Sequence, residues 1–323
     1  MAKRIIRFFD MFCGGGGSSR GAAMAGATPV AALDMWKKAT ETYKLNFPNV
    51  TIYRRKVKSL TPRKVIGDVG KIDLLLASPE CTNHSIARGN KPKNEDSRAT
   101  AFEVVRFLKI MKPRWFIVEN VMQMKQWDRF TEWHEKIRAI GYKTSIGILD
   151  AKYFGTPQSR RRLFVVGDLK NQPHLPKKGS KTTKTVADIL GRGDSKKAPW
   201  QFSPVHSPTR AKATIRRTKK AINKLEKTSG FIMVYYGTDG AGGFQTLDRP
   251  LRTITTVDRF AYVRKNGSGY EMRMLQPPEL AAAMGFPAYH KWAPSTRRER
   301  IKLIGNAVCP LVMRSIVNAL TNE

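Results

Sequence analysis

Short apolar runs, each closed by a polar or glycine-rich turn, recur along the first half of the chain. Residues 5–12, 29–33, 72–77, 115–118 and 163–166 have the length and composition of buried strands. Between the third and fourth runs, Phe102, Val105, Leu108 and Met111 follow helical spacing, with Glu95-Asp96-Ser97 as a cap and Pro113 as a stop. Strands alternating with helices predict an α/β fold: a mostly parallel sheet with helices on both faces. In such sheets ligands bind beyond the carboxyl ends of the strands, so the residues after each run carry the functional signal.

The first run leads into Cys13-Gly14-Gly15-Gly16-Gly17-Ser18-Ser19-Arg20-Gly21, whose backbone amides can approach a ligand at a helix start. It lacks both the G-x-G-x-x-G spacing of dinucleotide sites and the lysine of a phosphate loop. The second run ends at Asp34, about twenty residues past the glycines, where an acid can accept from ribose hydroxyls. A helix-cap carboxylate is the plainer role for it. Together these read as a nucleoside pocket without a pyrophosphate grip, a description that suits S-adenosylmethionine.

Pro79 stops the third run, and Cys81 follows in a loop. Residues 82–98 are polar and without periodicity, as a lid would be. Lone cysteines are mostly small buried hydrophobes, so Cys81 gains weight only from its setting. The fourth run delivers Glu119-Asn120-Val121 to the same edge, and a buried carboxyl with a raised pKa can act as a general acid. Before the fifth run, Arg160 and Arg162 fall on one side of an extended segment, where paired guanidinium forks suit carboxylate or phosphate.

Charge adds a partner. Lys and Arg total 59 against 25 acids, a net charge of +34, which points to a polyanion and most economically to nucleic acid. A solvated basic surface is the blander alternative. Cys13, Cys81 and Cys309 are too scattered for a disulfide framework or a zinc site, so no metal is expected. No apolar run reads as a membrane span and no signal core opens the chain, so a cytoplasmic monomer is expected.

After Lys170 the texture turns to Lys, Thr, Ser and Pro. A basic helix is expected near residues 211–227 and a strand over 231–236, with helices again over 279–284 and 311–320. Most of these lysines suit phosphate contact without base readout. Gln245, Arg249 and Arg252 are the better candidates for base or backbone contacts.

Read in order, five features closely resemble the DNA (cytosine-5) methyltransferase family. They are Cys81 after a strand, Glu119-Asn120-Val121, Gln158-x-Arg160-x-Arg162, the stretch Arg249-Pro250-Leu251-Arg252-Thr253-Ile254-Thr255-Thr256, and Gly305-Asn306-Ala307-Val308-Cys309-Pro310. Asp10-x-Phe12-x-Gly14-x-Gly16-Gly17 resembles that family's first cofactor motif, and the likeness runs over about residues 4 to 320.

The resemblance implies a seven-stranded, Rossmann-like methyltransferase domain over residues 1–170. A small target-recognition domain over 171–272 and a C-terminal segment, 273–323, returning to the first domain complete the expected chain. It also implies S-adenosylmethionine as cofactor, double-stranded DNA as partner and flipping of the target cytosine. Cys81 would add to carbon 6, Glu119 would hold or protonate N3, and Arg160 and Arg162 would orient the base and stabilise the adduct. Phe12 would pack on adenine, Gly14, Gly16 and Gly17 would admit the methionine portion, Asp34 would hold the ribose and Asn306 would help close the pocket. Ser85, Arg98, Gln245, Arg249 and Arg252 would meet DNA. A cognate restriction endonuclease and a bacterial or phage source go with this reading. An RNA cytosine-5 methyltransferase and a non-catalytic DNA-binding relative are its rivals.

One departure concerns the nucleophile. Glu80 stands where the family usually has proline, and a carboxylate beside a thiol disfavours the thiolate. Glu80 is therefore expected to point away or to pair with an arginine. No acid near residues 57–60 takes the family's adenine-amine role.

Overall fold

The computed structural model describes residues 5–80, 100–179, 184–196, 199–225, 228–236 and 242–321. All five expected runs become strands of one sheet: β1 (Arg7–Met11), β2 (Thr28–Asp34), β4 (Leu74–Ala77), β5 (Trp115–Asn120) and β7 (Arg161–Asp168). Two strands that the pattern did not announce, β3 (Thr51–Arg54) and β6 (Lys143–Asp150), close its two edges. The order is β3-β2-β1-β4-β5-β7-β6. β1 to β5 pair in parallel, and β7 runs antiparallel to both its neighbours. The seven-stranded, mostly parallel expectation is borne out.

Central β4 and β5 are buried at every position, as strands covered on both faces must be. α1 (Gly17–Met24), α2 (Lys37–Asn46), α3 (Pro62–Val69), α4 (Thr100–Met111) and α5 (Phe130–Arg138) connect them. Alternate residues enter opposite cores. Phe9, Leu75 and Phe116 pack with Phe107 of α4 and Trp133 of α5, while Phe8, Leu74, Leu76 and Ile117 pack with the chain's C-terminal helices. Those are α7 (Pro277–Ala283), α8 (Arg297–Asn306) and α9 (Pro310–Thr321). α9 lies so close to α1 that a side chain at Gly21 would meet the Pro310 carbonyl oxygen at 2.3 Å. Residues 297–321 are apolar enough to match a membrane span in composition, a match not anticipated from the sequence. Their apolar window is 67% buried inside the protein, and extended backbone at Ala307 separates α8 from α9.

A second sheet follows, with β8 (Ser203–Pro204), β9 (Gly230–Val234), β10 (Phe244–Thr246), β11 (Phe260–Asn266) and β12 (Gly269–Met274) in the antiparallel order β10-β9-β11-β12-β8. The basic helix is α6 (Lys212–Lys224). Phe231 and Met233 of β9 pack beneath α6 with Ala221, whereas Ile232 and Val234 join the core under α7 to α9. One apolar cluster therefore runs from the small sheet to the large one. A buried ion pair reinforces the join. Arg273 of β12 makes two bonds, of 2.8 and 2.7 Å, to Glu279 of α7, and Glu279 also accepts from the Gly191 amide at 2.9 Å.

Candidate active site

Glu119 is the next-to-last residue of β5 and is 7% exposed. Its carboxylate lies 3.2 Å from Arg162 Nε on antiparallel β7. Burial pushes its pKa up, against the opposing pull of Arg162, Arg160 and a hydrogen bond from Ser78. Glu119 therefore holds its proton to higher pH than an ordinary glutamic acid. Ser78 is the residue after β4, so two neighbouring parallel strands meet at this carboxyl.

The next residue fixes the chain that leads to the expected nucleophile. Asn120 Nδ2 donates to the Pro79 carbonyl at 3.2 Å, and its Oδ1 accepts from the Val121 amide at 2.8 Å. No role of its own was expected for Ser78, or for Asn120 within the Glu119-Asn120-Val121 motif; their positions at the ends of β4 and β5 were the available signal. Cys81, Ser85, Arg98 and the expected lid lie outside the described residues. Glu80 is exposed, and its negative charge is felt at Asp34.

The two arginines divide the work expected of both. Arg162 faces Glu119. Arg160 is 3% exposed and directs its fork inward, to the carbonyls of Ile254 at 2.8 Å, Gly305 at 2.8 Å and Ala307 at 3.2 Å. Its charge is also felt at Glu119. Gly305 must be glycine here, since a side chain would meet the Thr255 carbonyl at 2.2 Å. Residues 157–159 pair with the 251–254 stretch along the main chain. The Leu251 amide donates to the Pro157 carbonyl at 2.9 Å, and the Ser159 amide donates to the Leu251 carbonyl at 2.8 Å. Gln158 Oε1 accepts from the Ile254 amide at 3.1 Å, and Thr253 Oγ1 donates to the Ser159 carbonyl at 2.9 Å.

On the other side of β4 lies the glycine turn. Phe12 adopts φ 62°, a left-handed conformation that a bulky residue rarely takes. A side chain at Gly14 would meet nothing within 4 Å, so this glycine borders open space. Gly16 and Gly17 are filled from behind: their Cβ positions would lie 3.3 Å from Phe47 and 2.3 Å from the Val308 carbonyl oxygen. Packing from Phe47 together with a φ of 81° accounts for glycine at 16, and packing by the C-terminal segment accounts for it at 17. His290 adds to that packing, with Nε2 3.0 Å from the Gly15 carbonyl, and burial together with Arg20 pushes its pKa down to about 3.

Asp34 accepts from the Gly14 amide at 2.9 Å and the Trp36 amide at 2.8 Å, while burial raises its pKa. It thus ties the end of β2 to the glycine turn and to the residue before α2; the helix itself starts at Trp36 without a side-chain cap. Asp10 is a further acid at this end. Its Oδ2 accepts from Ser19 Oγ at 2.6 Å, its buried Oδ1 has no partner among the described residues, and burial pushes its pKa up to about 7. The sequence signal for Asp10 was its place in the quoted glycine motif. Asn306, the last residue of α8, is exposed.

Among the expected DNA contacts, Arg249 is exposed and Arg252 is half-buried, with Nη2 donating to the Phe244 carbonyl at 3.0 Å. Gln245 is turned inward. It is 8% exposed, and its amide bridges the Pro250 carbonyl and the Arg252 amide, at 3.2 and 3.1 Å. It braces the loop that carries the two arginines. A cavity of about 490 Å³ opens between His134, Tyr142 and Lys143 and contains none of the candidate groups. No cluster of metal-ligating residues occurs among the described residues.

Comparison with known proteins gives this arrangement a family. The family model for C-5 cytosine-specific DNA methylases matches residues 6–322. The Type II methyltransferase M.DdeI of Desulfomicrobium norvegicum is 31% identical over 176 residues, 52% of this chain and 42% of that protein. M.HindV, a Type II methyltransferase of Haemophilus influenzae, is 32% identical over 193 residues, 58% of this chain and 62% of the relative. The match thus spans about half the length of these curated relatives. An E. coli prophage protein assigned as a DNA modification methyltransferase shares the fold, with a TM-score of 0.69 at 19% identity, over 98% of this chain and 100% of that one.

Proposed function

The chain belongs to the C-5 cytosine-specific DNA methylase family, and from that premise we propose that it methylates carbon 5 of cytosine in double-stranded DNA, with S-adenosylmethionine as donor. The observation that carries the reading is the buried Glu119–Arg162 pair at the strand edge where Asn120 fixes the chain two residues before Cys81.

Carbon 5 of cytosine is a poor nucleophile, and this chain's residues answer that. The Cys81 thiolate adds to carbon 6, and the ring electrons move toward N3. Glu119, whose hold on its proton is strengthened by burial, hydrogen-bonds or protonates N3 and so balances the charge as the thiolate adds. Arg162 fixes the orientation of Glu119, and Arg160 supplies positive potential from inside. Addition makes carbon 5 an enamine carbon, which can take up the methyl group that S-adenosylmethionine would supply. Loss of the carbon-5 proton to a base then expels Cys81 as thiolate and restores the aromatic ring, and any proton taken up at N3 returns to Glu119. A cytosine in a duplex is out of reach of these groups, so the base leaves the stack.

The cofactor end fits S-adenosylmethionine. Asp10 aims an unpartnered buried oxygen there, Gly14 borders open space, and Phe12 and Asp34 flank it. When bound, the cofactor supplies an electrophilic methyl group. Phe12 would pack on its adenine, Asp34 would hold its ribose, the Gly14–Gly17 turn would admit its methionine portion and Asn306 would help close the pocket.

We assign residues 1–170 and 273–323 to catalysis and 171–272 to target recognition, with Arg249, Arg252, Ser85 and Arg98 meeting DNA and Gln245 holding the loop that bears the first two. The Type II methyltransferases among its relatives support a modification enzyme of bacterial or phage origin; the reading extends to a cytoplasmic monomer beside a cognate endonuclease. The test is bisulfite-type sequencing of DNA from cells expressing the protein or its Cys81→Ser variant. Protection at a defined site, lost in the variant, is expected. No protection by a soluble protein that binds S-adenosylmethionine would overturn the DNA assignment.

A further inference from the structure

Helices on the two sheets treat charge differently. In α2, Lys37 and Lys38 pair with Glu41, and in α3 Lys64 pairs with Asp68. In α4 Arg106 pairs with Glu103, and in α5 Arg129 and Lys136 share Glu132. Both signs three or four residues apart are what a solvated helix face carries. α6 carries Lys212, Arg216, Arg217, Lys219, Lys220 and Lys224, all exposed, and no acid. No Asp or Glu occurs from residue 195 to residue 225. Among the described residues, none of these six cations has an ion-pair partner.

Their spacing works against the helix. Lys212, Arg216, Lys220 and Lys224 stand four apart in one line, and like charges at that spacing repel. Lys212 also sits at the helix N-terminus, where the backbone dipole disfavours a cation. Packing of Ala221, Ile222 and Leu225 on the small sheet holds α6 in place despite this. A counter-charge from outside the chain resolves the conflict.

Position says where that counter-charge lies. Phe231 and Met233 face α6, while Ile232 and Val234 face the core beneath α7 to α9. α6 is therefore on the side of the small sheet turned away from the body that bears Glu119. Its thirteen residues span about 20 Å, the axial length of about six base pairs. We infer that α6 is a second DNA contact, a phosphate-tracking face that holds duplex flanking the target site without reading its sequence. This rests on the DNA reading above.

The test combines Lys212→Gln, Arg216→Gln, Lys220→Gln and Lys224→Gln in the full chain. Binding is measured across a salt series on duplexes of about 12 and about 40 base pairs. The unsubstituted protein should show the steeper salt dependence on the long duplex. The variant should lose about 0.9 of slope for each contact removed, so that raising salt from about 50 to 200 mM weakens it roughly a hundredfold less on that duplex. On the short duplex the two proteins should agree within about threefold, one or two contacts of this kind being enough to exceed that. A thermal midpoint at or above that of the unsubstituted protein, expected once repulsion is relieved, verifies that the variant folds. An unchanged slope on the long duplex overturns the inference. An equal loss on both duplexes overturns the flanking placement. No binding of either duplex by the unsubstituted protein removes the DNA reading itself.

Discussion

β4 and β5 of the large sheet are buried from end to end, and the helices around them balance base with acid. The small sheet is finished differently: the hairpin end of β11 and β12 is exposed, and α6 carries base alone. The helices of the first region pair their charges among themselves. The second leaves charge uncompensated, and its stability and its function pull against each other until a partner arrives. The difference separates what this chain needs to fold from what it needs to bind.

The largest effect should come from the charge that the large sheet does bury. Glu119→Gln should lower the methylation rate by roughly 10²- to 10⁴-fold, the usual contribution of a positioned general acid. The rate of the unsubstituted protein should fall as pH rises through the raised pKa of Glu119, and the variant should lack that limb. A variant with full activity would place proton delivery elsewhere.

Arg160→Ala should cost about 3 kcal/mol of stability, because it removes charge-assisted bonds to three carbonyls in two distant segments. Denaturant unfolding reads this directly, and splitting of the transition would show that the clasp joins the two sheets. Arg162→Ala should reduce rate more than stability, since its exposed side has water to turn to. Equal behaviour of the two arginine variants would erase the distinction between them.

Asp10 tests the cofactor edge. Its folded pKa, about 7, lies above its ordinary 3.8, so the native state binds the proton more tightly. That contribution is fully present below about pH 4 and lost as pH rises through 7, a few kcal/mol at most. Asp10→Asn should flatten the fall in melting temperature between those values; an unchanged fall would assign it to other groups. The smallest effect should be the gain from relieving repulsion on α6, a few tenths of a kcal/mol for each like-charged pair removed, read from the thermal midpoint.

The buried strands were legible because parallel strands covered on both faces are continuous apolar runs. β3 and β6 were not, because edge strands mix signals: Lys143–Asp150 is half-exposed or exposed throughout. Phe130, Trp133 and Ile137 of α5 sit at helical spacing, and that signal was available. Glu119 and Arg162 could be placed at one edge because strand ends converge there by topology alone. The inward turn of Arg160 and Gln245 could not be anticipated. Their acceptors lie on loops set by the meeting of the two sheets, and no local spacing encodes a contact between residue 160 and residues 254, 305 and 307. Glycine at 16 and 17 followed the same logic, being required by residues 47 and 308 behind the turn.

The pairing of residues 157–159 with 251–254 bears on how such proteins exchange specificity. A hybrid that borrowed another reader of sequence would inherit working chemistry only if the donor's equivalent of the 251–254 stretch could dock on this chain's 157–160. Seams placed at residues 171 and 247 keep that docking strip native. A seam beyond residue 254 swaps it, and would yield hybrids that bind their new site yet leave it unmethylated, because the strand bearing Arg162 would have lost its brace.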